Sequence, residues 1–183
     1  MDLVDPPVLP YVLHHTQQIT GPLVDRIGFS IRKATESDAP GILGCLRAAF
    51  EEYRSSYTPA AFLDTVRTPE TIGQRLKDMY VFVATDESGQ IIGTIACNVV
   101  DQDEGHIRGM AVLPAWHGAG VAKRLLRCAE SQLRELSCKR VSLDTTEPLK
   151  RTIRFHEKNG FRPSDRIKDF FGMPLFEYVK SLA

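Results

Sequence analysis

The chain has 183 residues, of which 43% are hydrophobic and 25% are charged, and its net charge is zero. These values are typical of one soluble globular domain that buries its own core. No run of about 18 apolar residues occurs, so a membrane span is not expected. Nucleic acid is not an expected partner either, because no groove-reading motif and no interleaved aromatic residues accompany the basic side chains.

Residues 1–28 are rich in proline and read as an N-terminal extension. The segment lacks a basic start and a continuous apolar run, so it is not a signal peptide. Such an extension needs a surface to cover, either the domain itself or a second subunit, and the second case favours a homodimer. The four cysteines form no CxxC pair and the five histidines show no ligand spacing, which predicts reduced thiols, a cytoplasmic protein and no metal site.

The first elements alternate between strand and helix. The stretch 29–35 alternates apolar and polar residues and predicts a strand. A helix follows over 36–54, with Ser37 or Asp38 as its N-cap. Pro59 and Pro69 each predict the start of a further short helix, over 60–66 and 70–78.

A meander of strands follows these helices. Strands are predicted over 80–85 and 90–100, joined by the turn sequence DESGQ, and the fourth predicted strand of the chain covers 105–113. Gly109 lies inside that fourth strand, which indicates a β-bulge or a close backbone approach.

The sequence MAVLPAWHGAGVAKRLL, residues 110–126, then joins a strand to a helix through two glycines. Apolar residues repeat at helical spacing from Val121 to Leu136. A strand over 140–146, a helix over 148–159 with Gly160 just past its end, and two last strands within 160–164 and 170–182 complete the order.

The glycine loop is a candidate anion site, because a helix N-terminus presents free N–H groups and a positive dipole end. A Walker A loop is excluded, since its G-x-x-x-x-G-K-[ST] pattern is absent. A dinucleotide fingerprint fits poorly, because Lys123 stands where the third glycine belongs and the preceding meander is wrong for that fold.

The segment from His117 to Ala122 resembles the [Q/R]-x-x-G-x-[G/A] pyrophosphate loop of the GCN5-related N-acetyltransferase (GNAT) family. MAVLP resembles the family's fourth strand, and FHEKNGF at 155–161 resembles its YEKxGF element. The resemblance covers 29–183, taken as the acetyltransferase domain. It implies an α+β fold with a mixed, mostly antiparallel central sheet of six to seven strands and helices on both faces.

The resemblance also implies acetyl-CoA as co-substrate, with its pantetheine arm paired to the fourth strand and its pyrophosphate on the loop. Arg151, Arg154 and Lys158 offer a second basic wall near the adenosine end. His117, Leu149 and His156 depart from the family's usual Gln or Arg, Asn and Tyr. The expected cofactor-binding residues are Met110, Ala111, Val112, His117, Gly118, Ala119, Gly120, Val121, Ala122, Lys123, Phe155 and Lys158.

Acetyl transfer to an amine requires a base for the amine, a donor for the developing oxyanion and a tolerable leaving group. His106 aligns with a strand position that carries the base in several family members, although it could equally be an ordinary half-exposed histidine. Glu104, acting through water, is the alternative base. His156 is the candidate general acid, and a backbone N–H of Met110 or Val112 is the candidate oxyanion donor.

The resemblance implies direct transfer in a ternary complex to a small amine or amino-acid-like molecule. Tyr53 and Tyr57 are the expected acceptor-binding residues. Residues 1–107 carry 8 basic and 15 acidic side chains, whereas 108–168 carry 14 basic and 6 acidic ones. This split suits a cationic amine on the acidic part and phosphates on the basic part. A protein acceptor, through an N-terminus or a lysine, and a non-catalytic acyl-CoA sensor are the alternatives.

Overall fold

A seven-stranded sheet forms the centre of the structure, a computed structural model that describes residues 28–182. The strands are β1 (Phe29–Lys33), β2 (Tyr80–Asp86), β3 (Ile91–Asp101), β4 (Glu104–Val112), β5 (Arg140–Thr145), β6 (Arg162–Phe170) and β7 (Met173–Ser181). The α-helices are α1 (Ala39–Phe50), α2 (Pro59–Val66), α3 (Pro69–Asp78), α4 (Val121–Glu135) and α5 (Lys150–Lys158). Short 3-10 helices cover Glu36–Asp38, Glu51–Ser56 and Pro114–Trp116. Apart from Gly28, the predicted extension that favoured a homodimer lies outside the described residues.

The sheet has the order β1-β2-β3-β4-β5-β7-β6. Every neighbouring pair is antiparallel except β4 and β5, which run parallel. The predicted mixed, mostly antiparallel sheet is therefore confirmed.

The parallel pair separates halfway along β4. Residues 104–107 pair with 140–143, and among the described residues the rest of β4 has no strand on that side. The bulge predicted at Gly109 is present, because two residues of β4 lie opposite Ile95 alone where the register shifts. Gly109 has φ +63°, a value that glycine adopts without strain. Because bulges bend and twist a strand, this one turns β4 away from β5 and opens a cleft between them.

Helices cover both faces of the sheet, as predicted. Leu125 and Leu133 of α4 pack on one face against Ile92 and Ile107. On the other face, α1 packs against β3 and β4, and α3 packs against β2. They form a second cluster of buried residues, which comprises Ile42, Cys45, Leu46, Ile72, Val81, Val83, Ile91, Ala96 and Ala111. The sheet that carries the cleft is therefore packed on both faces by apolar side chains of the helices.

Two predicted boundaries were wrong. Helix α5 begins at Lys150 rather than at Pro148, because Leu149 is its N-cap. Strand β6 continues past Ser164 to Phe170, where it turns into β7. Residues 164–169 are mostly polar and nearly all exposed, so no apolar–polar alternation marks this part of the strand. Between residues 28 and 182, no helix is both long and apolar enough to cross a membrane.

Candidate active site

Two connected cavities occupy the opening between β4 and β5. The outer cleft, about 320 Å³, lies between the second half of β4, the glycine loop and the start of α5. The inner cavity, about 130 Å³, extends toward α2, α3 and the end of β5. Phe50, Met110 and Leu149 line both, so the two cavities adjoin.

The glycine loop forms the far wall of the outer cleft. Gly118 and Gly120 both have φ +85°, and a Cβ placed on either would meet no atom within 4 Å. Gly120 is the N-cap of α4 and no side chain caps this helix end. The first N–H groups of α4 are consequently free to bind an anion, and the space in front of them is kept open by the missing side chains.

Strand β4 lends backbone groups to the same cleft. The N–H of Leu113 donates to the carbonyl of Ile92 on β3, 2.8 Å away. Since successive residues of a strand point to opposite edges, Met110 and Val112 direct their backbone groups away from β3 and into the cleft. These amides are where the sequence predicted a pantetheine partner and an oxyanion donor.

His117 fastens the loop to β4 and to α5. Its Nε2 lies 3.0 Å from the Val112 carbonyl, to which it donates, and its Nδ1 accepts from Arg151 Nη1. Arg151 and Lys123 both line the outer cleft, and Glu52 is the one acidic residue among the described ones that line it. The lining therefore carries more positive than negative charge. The chemistry of this wall fits the phosphates of coenzyme A.

Most of the predicted cofactor residues line the outer cleft. Ala119 and Lys158 are the exceptions, since neither lines either cavity. Lys158 is exposed near the far end of α5, whereas Arg151, in its first turn, reaches the loop. The lining residues that were predicted are Met110, Ala111, Val112, His117, Gly118, Gly120, Val121, Ala122, Lys123 and Phe155.

His106 lines the inner cavity and is held by a hydrogen-bond chain. Ser142 Oγ lies 3.4 Å from the Gly105 carbonyl, to which it donates, and 3.0 Å from His106 Nδ1. Ser142 can therefore only accept from the ring, which places the imidazole proton on Nδ1 and leaves the Nε2 lone pair free. Asp144 Oδ2 lies 3.8 Å from that Nε2. The arrangement is that of a base with a nearby carboxylate to stabilise its protonated form.

Burial keeps His106 in the neutral form that a base needs. Desolvation lowers the pKa of His106 below its ordinary value, and the nearby Asp144 opposes this shift by a smaller amount. Lys168 contacts the Asp144 carboxylate at 3.3 Å. Neither Ser142 nor Asp144 was identified from the sequence; a polar residue at the end of a buried strand was the available signal for Asp144.

Glu104 does not reach either cavity. Its carboxylate forms an ion pair with Arg140 at the start of β5. Burial raises the pKa of Glu104, but the hydrogen bond from Arg140 and the positive charges of Arg140 and Arg166 oppose this shift, and the pKa stays below its ordinary value. A carboxylate so engaged is a weak base, and this argues against the predicted alternative role.

His156 is buried and neutral. Its ring is 4% exposed and makes edge contacts with Phe155 and Phe161, and its Nδ1 has no hydrogen-bond partner. This burial lowers the pKa of His156 to about 4. At neutral pH the ring therefore carries no proton to spare, and the structure argues against its predicted role as general acid.

We expect His156 to make the fold sensitive to acid. Its folded-state pKa of about 4 lies below the ordinary 6.5, so the unfolded chain binds the extra proton first as pH falls. The free energy of unfolding should drop by roughly 2 to 3 kcal/mol between pH 7 and 4.5 from this group. Urea titrations of the wild type and of His156→Phe at both pH values would measure it. An equal pH dependence in the two proteins would contradict the assignment, and His117→Gln is the exposed control.

The two predicted acceptor-binding residues lie in different cavities. Tyr57 lines the inner cavity and bonds Thr146 through its hydroxyl group, but Tyr53 lies in the outer cleft. The acidic composition of residues 1–107 does not describe this surface. The charged residues that line the inner cavity besides its two histidines are Asp64, Asp144, Arg67, Arg75 and Arg108.

Comparison with known proteins finds similarity to acetyltransferases. The family model described as "Acetyltransferase (GNAT) family" matches residues 45–161. An uncharacterized N-acetyltransferase of Escherichia coli, YjgM, is 28% identical over 138 residues, which are 74% of this chain and 83% of that protein. The ribosomal protein bS18-alanine N-acetyltransferase of Haemophilus influenzae is 31% identical over 105 residues, covering 57% of this chain and 70% of the relative.

Solved structures show the same fold. The PaiA N-acetyltransferase of Thermoplasma acidophilum, in complex with coenzyme A, superposes with a TM-score of 0.72 at 19% identity. The match covers 84% of this chain and 98% of that one.

Proposed function

Because the chain belongs to the GNAT family of acetyl-CoA-dependent N-acetyltransferases, we propose that it transfers the acetyl group directly to the primary amine of a small molecule. The observation that carries the proposal is the inner cavity of about 130 Å³, contiguous with the outer cleft and walled by His106. Drug-sized ligands occupy pockets of roughly 300–1,000 Å³, so only a small acceptor fits inside. Residues 29–183 form the catalytic domain in this proposal.

Different residues of the chain bind different parts of acetyl-CoA in this proposal. The open loop at Gly118 and Gly120, with the N-terminus of α4, holds the pyrophosphate, and Arg151 and Lys123 neutralise it. The free edge of β4 pairs with the pantetheine arm. When bound, acetyl-CoA supplies a thioester whose carbonyl carbon the amine attacks, so that a C–N bond forms and the C–S bond breaks.

His106 removes the proton that the amine must lose. The free Nε2 accepts this proton, and Asp144 at 3.8 Å stabilises the resulting imidazolium. The amide of Met110 or Val112 donates to the carbonyl oxygen as negative charge develops there. CoA leaves as a thiolate, which is a tolerable leaving group because a thiol is far more acidic than an alcohol or an amine, and the thiolate takes its proton from solvent. No protein acid is required, which agrees with the neutral state of His156.

Direct transfer is favoured over a covalent acyl-enzyme by what lines the cavities. None of the four cysteines, the side chains most suited to accept an acyl group from a thioester, lines either of them. The two cavities also share three residues, so amine and thioester can meet without an intermediate carrier.

A protein N-terminus is the second candidate acceptor, because a 31% identical relative is an alanine N-acetyltransferase of a ribosomal protein. CoA release from acetyl-CoA would be measured with a panel of small primary amines and with peptides that begin with alanine or contain lysine. We expect saturable turnover with at least one small amine. Turnover of peptides alone would assign a protein acceptor, and acetyl-CoA binding without any turnover would favour the sensor alternative.

A further inference from the structure

Three arginines converge on the inner cavity with one carboxylate among them. Asp64 lies 3.2 Å from Arg67 and 3.9 Å from Arg108. Arg75 forms no ion pair or hydrogen bond with any described side chain, although it lines the cavity. The other carboxylate of the cavity, Asp144, is engaged by Lys168 and lies beside His106. The part of the cavity that these arginines line therefore carries unbalanced positive charge.

Arg75 is a buried cation without an ion pair among the described residues; the Asp64 carboxylate acts on it from a distance but is bonded to Arg67. Arg75 is only 8% exposed, although arginine is among the residues most rarely buried without a partner. Burial, together with the neighbouring Arg67 and Arg108, lowers the pKa of Arg75 to about 9. A buried charge in this state is costly unless a ligand supplies the opposite charge.

Gly109 makes room for this guanidinium. A Cβ at Gly109 would lie 2.1 Å from Nη1 of Arg75, so any other residue there would displace the arginine. Arg75 thus sits directly against the bulge of β4, beside Met110, whose amide is the candidate oxyanion donor. This position brings its N–H groups within the same small cavity as the reacting amine.

Arg67 holds a backbone conformation that its side chain does not favour. Its φ of 67° and ψ of 167° fall in a region used almost only by glycine. Its Nε is buried without a hydrogen-bond partner. Strain of this kind persists where the surrounding structure holds a residue for a purpose, and here it directs a guanidinium into the cavity.

We propose that the acceptor carries an anionic group, a carboxylate in the first instance, which binds Arg75 and Arg67 while its amine faces His106. The inference rests on the proposed transfer to an amine and names its substrate class. Guanidinium groups bind carboxylates and phosphates through paired hydrogen bonds, which would satisfy the N–H groups left free on both arginines. The cavity is then bipolar, with Asp144 and His106 at the amine end and the arginines at the anionic end.

The test compares matched acceptors with the full-length protein saturated with acetyl-CoA. Amino acids would be paired with their carboxamides, and aminoalkyl phosphates with the corresponding amino alcohols. CoA release gives the ratio of kcat/KM values for each pair. We expect the wild type to favour the carboxylate by about 10²-fold, since a site built for a polar group rejects a ligand that lacks it. A larger preference in the phosphate pairs would identify phosphate as the anion.

The variants Arg75→Met and Arg67→Gly should each lower that preference to below about tenfold. Glycine suits the backbone of Arg67, so the second variant keeps the fold even if the first does not. Arg47→Met is the matched control, because Arg47 is exposed on α1 and lines neither cavity, and it should keep the wild-type preference.

Two results would overturn the inference: carboxamides or diamines that match the carboxylates in the wild type, or a preference that survives in both variants. If only peptides are acetylated, the small-molecule function fails, and a preference for acidic over amidated peptides still decides the anionic group. If nothing is acetylated, calorimetry of the CoA-saturated protein with N-acetyl amino acids and their amides decides it. Equal binding of the two by the wild type would then refute the anion site.

Discussion

His106→Gln should lower kcat by about 10² to 10⁴-fold while leaving the dissociation constant of acetyl-CoA unchanged. The residue lines the inner cavity and not the outer cleft, so its loss affects the reacting amine rather than the cofactor. Glutamine keeps a similar size and can still contact Ser142, but it cannot take up a proton. Steady-state kinetics and calorimetry with acetyl-CoA would separate the two effects.

The pH profile gives an independent check on the same residue. Because burial lowers the pKa of His106 below 6.5, the base is already deprotonated at neutral pH and kcat should fall only in the acid range. This acid limb should disappear in His106→Gln. Asn98→Ala is the control, since Asn98 pairs with His106 across β3 and β4 but lines neither cavity. A variant that keeps a third or more of the wild-type kcat would show that the base lies elsewhere.

Gly120→Ala should weaken acetyl-CoA binding by about 100-fold or more, a loss of about 2.7 kcal/mol. The added methyl group enters the open space in front of the loop, and the φ of +85° that aims the first N–H groups of α4 becomes strained. Calorimetric titration with acetyl-CoA would measure the change.

The turn between β2 and β3 offers a matched control for this loop. Gly89 has the same φ of +85° and the same open space around a built Cβ, but it lines neither cavity. Gly89→Ala and Gly120→Ala should therefore each lower the free energy of unfolding by about 1 kcal/mol, but Gly89→Ala should keep the wild-type affinity for acetyl-CoA. Comparable loss of acetyl-CoA affinity in both variants, or in neither, would mean that the glycine loop is not the cofactor cradle.

Features that depend on neighbours in the sequence were predicted well. The strand, glycine loop and helix around residues 110–126 were found because a positive φ and a free helix N-terminus need particular residues at particular positions. The bulge at Gly109 follows from the same local rule. The mixed sheet was inferred from the order of the elements, together with the resemblance of the loop and of FHEKNGF to a known family.

Charge and protonation were predicted poorly, because they depend on residues distant in the sequence. The excess of acidic residues in 1–107 suggested a cationic acceptor, yet three arginines, Arg67, Arg75 and Arg108, line the inner cavity. His156 occupies the position of the Tyr in the family's YEKxGF element, and only its burial between Phe155 and Phe161 shows that it stays neutral. Glu104 is two residues from His106 on the same strand, and Arg140 on β5 decides that it is not free to act.

The sequence by itself determined the order of the elements and the glycine loop before α4, because local spacing, backbone sterics and helix geometry set both. The resemblance to the GNAT family added acetyl-CoA as the ligand of this loop and His106 as the candidate base. Only the tertiary structure decided which polar groups meet in the cavity: Ser142 and Asp144 with His106, and Arg67 with Arg75. The physical reason is that hydrophobic periodicity reveals which face of an element is buried but not which partner lies across it. Desolvation and pairing, which set the charge of each group, exist only once those partners are in place.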